Sequence, residues 1–152
     1  MGKTQLEELE KHGKYFSVPQ GISMWPMIRP KRDIVEIHRL EKPAKRYDLV
    51  LYIRGEEKQG ILHRVLHVRE KDYIIAGDNC WQKEYVPYEQ AAGIAVRFRR
   101  NGKWIETDNL WYLIYAHLWT DLFFIRRPLL FIRDKAKRVL RRLLRSAGKK
   151  RE

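Results

Sequence analysis

The sequence predicts a mainly β protein, a compact antiparallel β domain closed by a C-terminal helical tail. Three observations predict it. Short apolar runs follow one another from Asp33 to Thr107, separated by turns rich in Gly, Asp and Asn. Asn101-Gly102 stands between two such runs, a strong hairpin signal. After Leu110 the apolar spacing turns helical.

The elements follow in order. Residues 4–14 read as a short helix, with Thr4 as N-cap and Glu7 three residues on, the pattern of a capping box. Pro19, Pro26, Pro30 and Gly21 make residues 17–32 a turning segment. Asp33–His38 alternates in part, as a strand does. Asp48–Arg54 is almost continuously apolar, as in a strand buried on both faces. Gly55–Gly60 is a charged turn, Ile61–Val68 a strand, and Tyr73–Ala76 a shorter one ended by Gly77-Asp78-Asn79. Ile94, Val96 and Phe98 alternate with polar or small neighbours, and Lys103–Thr107 completes the hairpin. Pro128 suits the first turn of a new helix, with Ile132, Ala136, Val139, Leu140, Leu143 and Leu144 on one face. This gives an N-terminal helical segment (1–16), a β domain (17–108) and an aromatic, basic tail (109–152).

Composition narrows the function. The chain has 152 residues, enough for one domain with a real core. A single cysteine excludes a disulfide framework and a Cys-rich zinc site. The net charge of +13 suggests nucleic acid at first sight. Its distribution argues otherwise. Residues 126–152 carry 12 Lys/Arg and two acids, a net +10, which leaves the body close to neutral at +3. The N-terminus has no apolar run of the signal-peptide kind. The strongest apolar stretch, Leu110–Ile125, has 16 residues and contains His117 and Asp121. A spanning helix wants about 20 mostly apolar residues. The stretch is therefore expected to lie at an interface or in the fold.

Three segments carry candidate chemistry: Gly21-Ile22-Ser23-Met24-Trp25-Pro26 leading to Asp33, Tyr47–Tyr52 leading to Ile61-Leu62-His63-Arg64-Val65, and Ala76-Gly77-Asp78-Asn79. In this order and spacing they resemble the S24/S26 serine peptidase superfamily, which holds type I signal peptidases and the self-cleaving phage and SOS repressors. The resemblance covers about residues 18–100. It implies a β domain of the signal-peptidase and repressor-protease type and a serine endopeptidase that cuts a peptide or precursor protein. It implies no cofactor and no metal. By position, Ser23 is the nucleophile and its backbone N–H an oxyanion donor. His63 stands where the Ser–His branch carries its general base, Asp78 is the candidate third member, and Met24 and Pro26 are expected in the substrate cleft. Gly21 lacks the hydroxyl that many signal peptidases carry two residues before the nucleophile. The branch often has a further acid after Gly-Asp-Asn, and Glu84 is the nearest one here.

The residue types suit that chemistry. A serine hydroxyl needs a base to remove its proton. Histidine does this near neutral pH without the desolvation a lysine would need. His67 is expected on the same strand face as His63, two residue pairs away. Position in the pattern selects His63. Cys80 reads as a packing residue, and Arg64 is expected to point away from His63 towards an acid.

Other readings stay open. One is a non-catalytic β-domain binding module whose basic tail holds anionic lipid or nucleic acid. Another is autocleavage, weakened by the lack of an obvious scissile pair before Ser23. The tail (110–145) is expected to hold an anionic membrane surface peripherally, on the cytoplasmic side, with a single C-terminal membrane anchor as the alternative. A partner-binding helix, a nucleic-acid arm and a packed helix with a solvated cationic face are further readings, nucleic acid the least favoured.

Overall fold

A computed structural model describes residues 2–55 and 59–148, with side chains from 6 to 145 outside that gap. The expected charged turn falls largely on 56–58, outside the described residues. The chain runs α1 (Gly2–His12), β1 (Lys14–Ser17), β2 (Ile34–Arg39), β3 (Leu49–Arg54), β4 (Gln59–Val68), β5 (Asp72–Ala76), β6 (Glu84–Pro87), β7 (Ala91–Arg100), β8 (Lys103–Glu106), α2 (Leu110–Asp121) and α3 (Phe123–Gly148). The strands form one antiparallel sheet in the order β1-β2-β7-β3-β4-β5-β6, with β8 paired to β7. The fold is thus mainly β with a helical C-terminal part, as expected.

Strand β3 shows why its sequence is so apolar. Leu49 and Leu51 enter a core shared with Leu9, Met24, Ile28, Val35, Ile37, Phe98, Tyr112 and Ala116. Val50 and Tyr52 enter a second core with Val65, Tyr73, Ile75 and Val86. Alternate residues point to opposite faces, so both faces are covered. The β7–β8 turn is built as its sequence demands. Asn101 and Gly102 take φ of 52° and 81°, the left-handed pair of a tight hairpin.

Several expectations change. The N-terminal helix starts at Gly2, ahead of Thr4, and residues 14–17 pair with β2 as a strand. The three-part division does not separate three cores: Leu9 of α1 and Tyr112 and Ala116 of α2 pack into the sheet core. Pro128 lies inside α3 rather than in its first turn. The break between helices comes earlier, at Leu122, where Ile125 and Arg126 donate backbone bonds back to the Leu122 carbonyl. That break divides the apolar stretch, and among the described residues no helix is long and apolar enough to cross a membrane. The single-anchor alternative therefore has no helix to rest on.

A bulge in β4 corrects the histidine geometry. Val65 pairs with Ile75, but His67, not Leu66, pairs with Ile74. One extra residue reverses the alternation. His67 therefore turns to the opposite face from His63, into a cavity of about 580 Å³ with Arg46, Trp81 and Phe123.

The helices are pinned to the sheet through one buried ion pair. Arg64 of β4 is fully buried and forks onto Asp78, Nε to Oδ1 and Nη2 to Oδ2, each at 2.8 Å. Burial is the largest single influence and would lower the Arg64 pKa, but the charge and hydrogen bonds of Asp78 and Tyr112 together outweigh it and the net shift is upward. Arg64 also donates to the Tyr112 hydroxyl and the Tyr47 carbonyl, each at 3.0 Å. Tyr115 of α2 donates to Asp78 Oδ2 at 3.1 Å, and Trp119 to the Asp78 carbonyl at 2.7 Å. Arg126 of α3 reaches the same carbonyl.

Arg64→Met strands a buried carboxylate and is expected to cost about 3–5 kcal/mol of unfolding free energy. Pairing it with Asp78→Leu recovers most of that loss. Urea denaturation followed by tryptophan fluorescence measures both, and equal losses in the single and double variants contradict the buried-pair account.

Candidate active site

Ser23 lies at the start of a helical turn that the core holds. Ile28 N–H donates to the Met24 carbonyl at 2.9 Å, and both side chains are buried. Asp33, fully buried, closes the loop behind: it accepts from the Arg29 backbone N–H at 2.8 Å and from the Arg29 guanidinium at 2.7 and 3.0 Å. Arg100 donates to the Pro26 and Met27 carbonyls at 3.1 and 3.2 Å. With Met24 plugged inward, the neighbouring Ser23 is left half-buried at the rim.

The turn after β5 clamps that rim. Asn79 N–H donates to the Ser23 carbonyl at 2.7 Å, and Asn79 Nδ2 to the Ile22 carbonyl at 3.1 Å. Gly77 allows the approach. A methyl placed on it would stand 2.7 Å from the Ser23 carbonyl, 2.9 Å from Cys80 Sγ and 3.0 Å from His63 Nε2. No side chain fits there, and the same point brings the Nε2 end of His63 beside the Ser23 backbone.

The other end of His63 is held by an acid. Nδ1 lies 3.1 Å from Glu84 Oε1 and 3.2 Å from the Tyr52 hydroxyl. Glu84 accepts from both groups, and the His63 bond chiefly holds its carboxyl down, to about 2. Burial and the same carboxylate push the Tyr52 phenol well above its ordinary value. A carboxylate at Nδ1 assigns the proton there, which leaves Nε2 with its lone pair on the Ser23 side. His63 is 5% exposed, so little water competes for the ring.

Asp78 therefore does not fill the third position. It is committed to Arg64 and Tyr115 on the opposite side of the turn. Sequence reasoning placed it there because it sits in the Gly-Asp-Asn motif. Glu84 arrives instead from β6, a strand that sequence reading missed. The pairing of Ile75 with Glu84 brings it in line. Tyr52 had no assigned role, although the pairing of Val50 with His63 places the two side chains on one face. Arg64 pairs with an acid as expected. Cys80 lies beside Gly77, and burial raises its thiol pKa, with Glu84 and Asp134 adding to the effect. That favours the inert thiol.

Two cavities meet at Ser23. An apolar cleft of about 280 Å³ is lined by Tyr15, Met24, Ile37, Leu51 and Leu62, and reaches Gly21 and Ser23. Met24 lines the wall of this cleft. Pro26 is not among its lining residues, because Arg100 holds the Pro26 carbonyl on the far side of the turn. A second groove of about 510 Å³ also reaches Gly21 and Ser23 and runs along α3. Strand β4 pairs with β5 only from Arg64 onward, so the edge of Gln59–His63 beside the cleft carries no strand among the described residues. Among those residues the Ser23 N–H also donates to no acceptor. No group of His, Cys, Asp and Glu suited to a metal ion occurs among them.

Comparison with protein-family models, curated proteins and solved structures finds no match for this chain.

A carboxyl held below its ordinary value of 4.5 stabilises the fold above that pH and loses the contribution as pH falls towards 2. Between those limits the wild-type unfolding free energy is expected to fall more steeply than that of Glu84→Gln. Urea titrations across this range measure the difference, and parallel curves contradict the His63–Glu84 bond.

Proposed function

We propose that the protein is a serine endopeptidase, with Ser23 as nucleophile and His63 as general base. The observation that carries this reading is the directed imidazole: a carboxylate fixes the proton on Nδ1, and Nε2 faces the clamped backbone of Ser23. Glu84 has the orienting role in this reading. In catalysis the Ser23 Oγ attacks the scissile carbonyl as Nε2 takes its proton. Glu84 steadies the imidazolium that forms, and Nε2 then protonates the leaving amine. Water repeats the sequence on the acyl-enzyme. The free Ser23 N–H is placed to donate to the oxyanion.

The substrate is a peptide or precursor protein in extended form. The unpaired edge of β4 offers main-chain hydrogen bonds of the strand-addition kind. The adjoining cleft, walled by Ile37, Leu51 and Leu62, takes an apolar side chain.

We also propose that the enzyme works at an anionic membrane surface as a peripheral protein. Trp111, by 77%, Leu110 and Leu118 are exposed on α2, and Phe124 and Leu129 on α3, the helix that carries the basic residues. An aromatic, apolar surface beside cations suits the headgroup region of a bilayer.

Ser23→Ala is expected to lower cleavage of a susceptible precursor peptide on the order of 10⁴-fold or more while the fold is retained. Glu84→Gln lowers it on the order of 10²–10⁴-fold. Mass spectrometry of peptide digests checks both, and undiminished cleavage by Ser23→Ala refutes the assignment.

Vesicle flotation tests the surface reading. The full chain is expected to float with phosphatidylserine vesicles, and Trp111→Glu with Phe124→Glu to remain in the soluble fraction. Equal flotation of the two proteins contradicts that use of the helices.

A further inference from the structure

The second groove at Ser23 has a charge that the peptidase mechanism does not use. It is lined by Gly21, Ile22, Ser23, Asn79 and Cys80 on one side, and by Arg133, Asp134, Lys137, Arg138 and Arg141 of α3 on the other. Asp134, Lys137, Arg138 and Arg141 follow the spacing i, i+3, i+4, i+7, so one helix face is turned to the nucleophile segment. Asp134 is taken by Arg133, at 2.8 Å. Lys137, Arg138 and Arg141 pair with no acid among the described residues.

The helix is held in this position from the active-site turn itself. Arg133 donates to Asn79 Oδ1 and, at 3.2 Å, to the Asn79 carbonyl. Asn79 in turn bonds the Ser23 carbonyl. The cations are thus indexed to the nucleophile.

We propose that this groove is a specificity subsite for acidic side chains, on the side of the scissile bond opposite the residue that fills the apolar cleft. The proposal rests on the peptidase reading for its meaning, but the binding it describes does not require Ser23 to react. The spacing fits. Lys137 and Arg141 are one helical turn apart, about 6 Å at ~1.5 Å per residue. Alternate residues of an extended peptide are spaced by about 6.6 Å. Two acids with one residue between them therefore match the two cations, and each exposed pair adds a modest, salt-sensitive attraction.

Anionic lipid is the competing occupant of these cations. The apolar stripe of α3, Ile132, Ala136, Val139 and Leu140, falls on nearly the opposite side of the helix from Lys137 and Arg141. A bilayer that covers the stripe leaves the groove facing Ser23.

The test uses the full chain carrying Ser23→Ala and four fluorescein-labelled peptides. Each joins the apolar half Leu-Val-Ala-Leu-Ala to Glu-Gly-Glu or to Gln-Gly-Gln, in either order. Fluorescence anisotropy in 0.15 M salt is expected to show one Glu peptide binding about tenfold tighter than its Gln counterpart. Lys137→Glu with Arg141→Glu removes the preference, and Lys42→Glu with Lys71→Glu, an equal change of charge at exposed sites elsewhere, keeps it. The proposal is overturned if neither order shows a preference, if the preference survives in the groove variant, or if both variants lose it alike. It is also overturned if the groove variant loses vesicle flotation but keeps the peptide preference, because the cations then serve lipid. A failure of Ser23 to act as a nucleophile leaves these binding results unchanged and shows separately, in the cleavage assay.

Discussion

The Arg64–Asp78 pair is the constraint on which the site depends. It is buried, bidentate, and shared between a strand, a turn and two helices. Its consequence is positional. The turn at 77–79 follows directly from β5, and Asp78 fixes that turn against β4 and α2. With the turn fixed, Gly77 and Asn79 have one place to be, and Asn79 holds the Ser23 carbonyl from it. His63 is the residue before Arg64 on β4, so the strand that anchors the turn on one face presents the imidazole on the other. A buried charge pair is weak evidence for stability in general, because desolvation offsets much of the attraction. Here its role is to set the register of the two loops that meet at Ser23.

Much of this was legible in the sequence. The strands β2 to β5 and the Asn101-Gly102 hairpin fall where the apolar alternation put them. The Ser23 carbonyl and His63 Nε2 both approach Gly77, and it was the family resemblance that named the two residues together. Legibility ended where a tertiary detail intervened. The β4 bulge carries no sequence signal, and without it His67 would share a face with His63. Residues 84–87, Glu-Tyr-Val-Pro, are short and end in proline, so they did not read as a strand. Missing that strand left open which of the two acids, Asp78 or Glu84, meets His63. The break at Leu122 was also invisible, because Leu is a good helix former. What ends α2 there is the packing of Phe123 against Leu66 and Ala76.

Charge divides the molecule by task. The β body is nearly neutral, and its ionised groups are spent on internal pairs such as Arg29–Asp33, Arg97–Glu36 and Arg64–Asp78. The excess lies on α3 and beyond. That helix is tied by Arg126 and Arg133 to the turn beside Ser23, so its cations stand next to that residue. In the proposed enzyme, one side of Ser23 selects for apolar shape, the other selects for charge, and the exposed apolar surface of the helices decides where the reaction takes place.

The most direct test of the central claim is to locate a covalent serine adduct. The intact protein is treated with a fluorophosphonate at neutral pH, digested, and mapped by tandem mass spectrometry. The account predicts one modified residue, Ser23, with labelling that disappears in His63→Gln and in unfolded protein. An unmodified Ser23, or labelling that persists without His63, contradicts it.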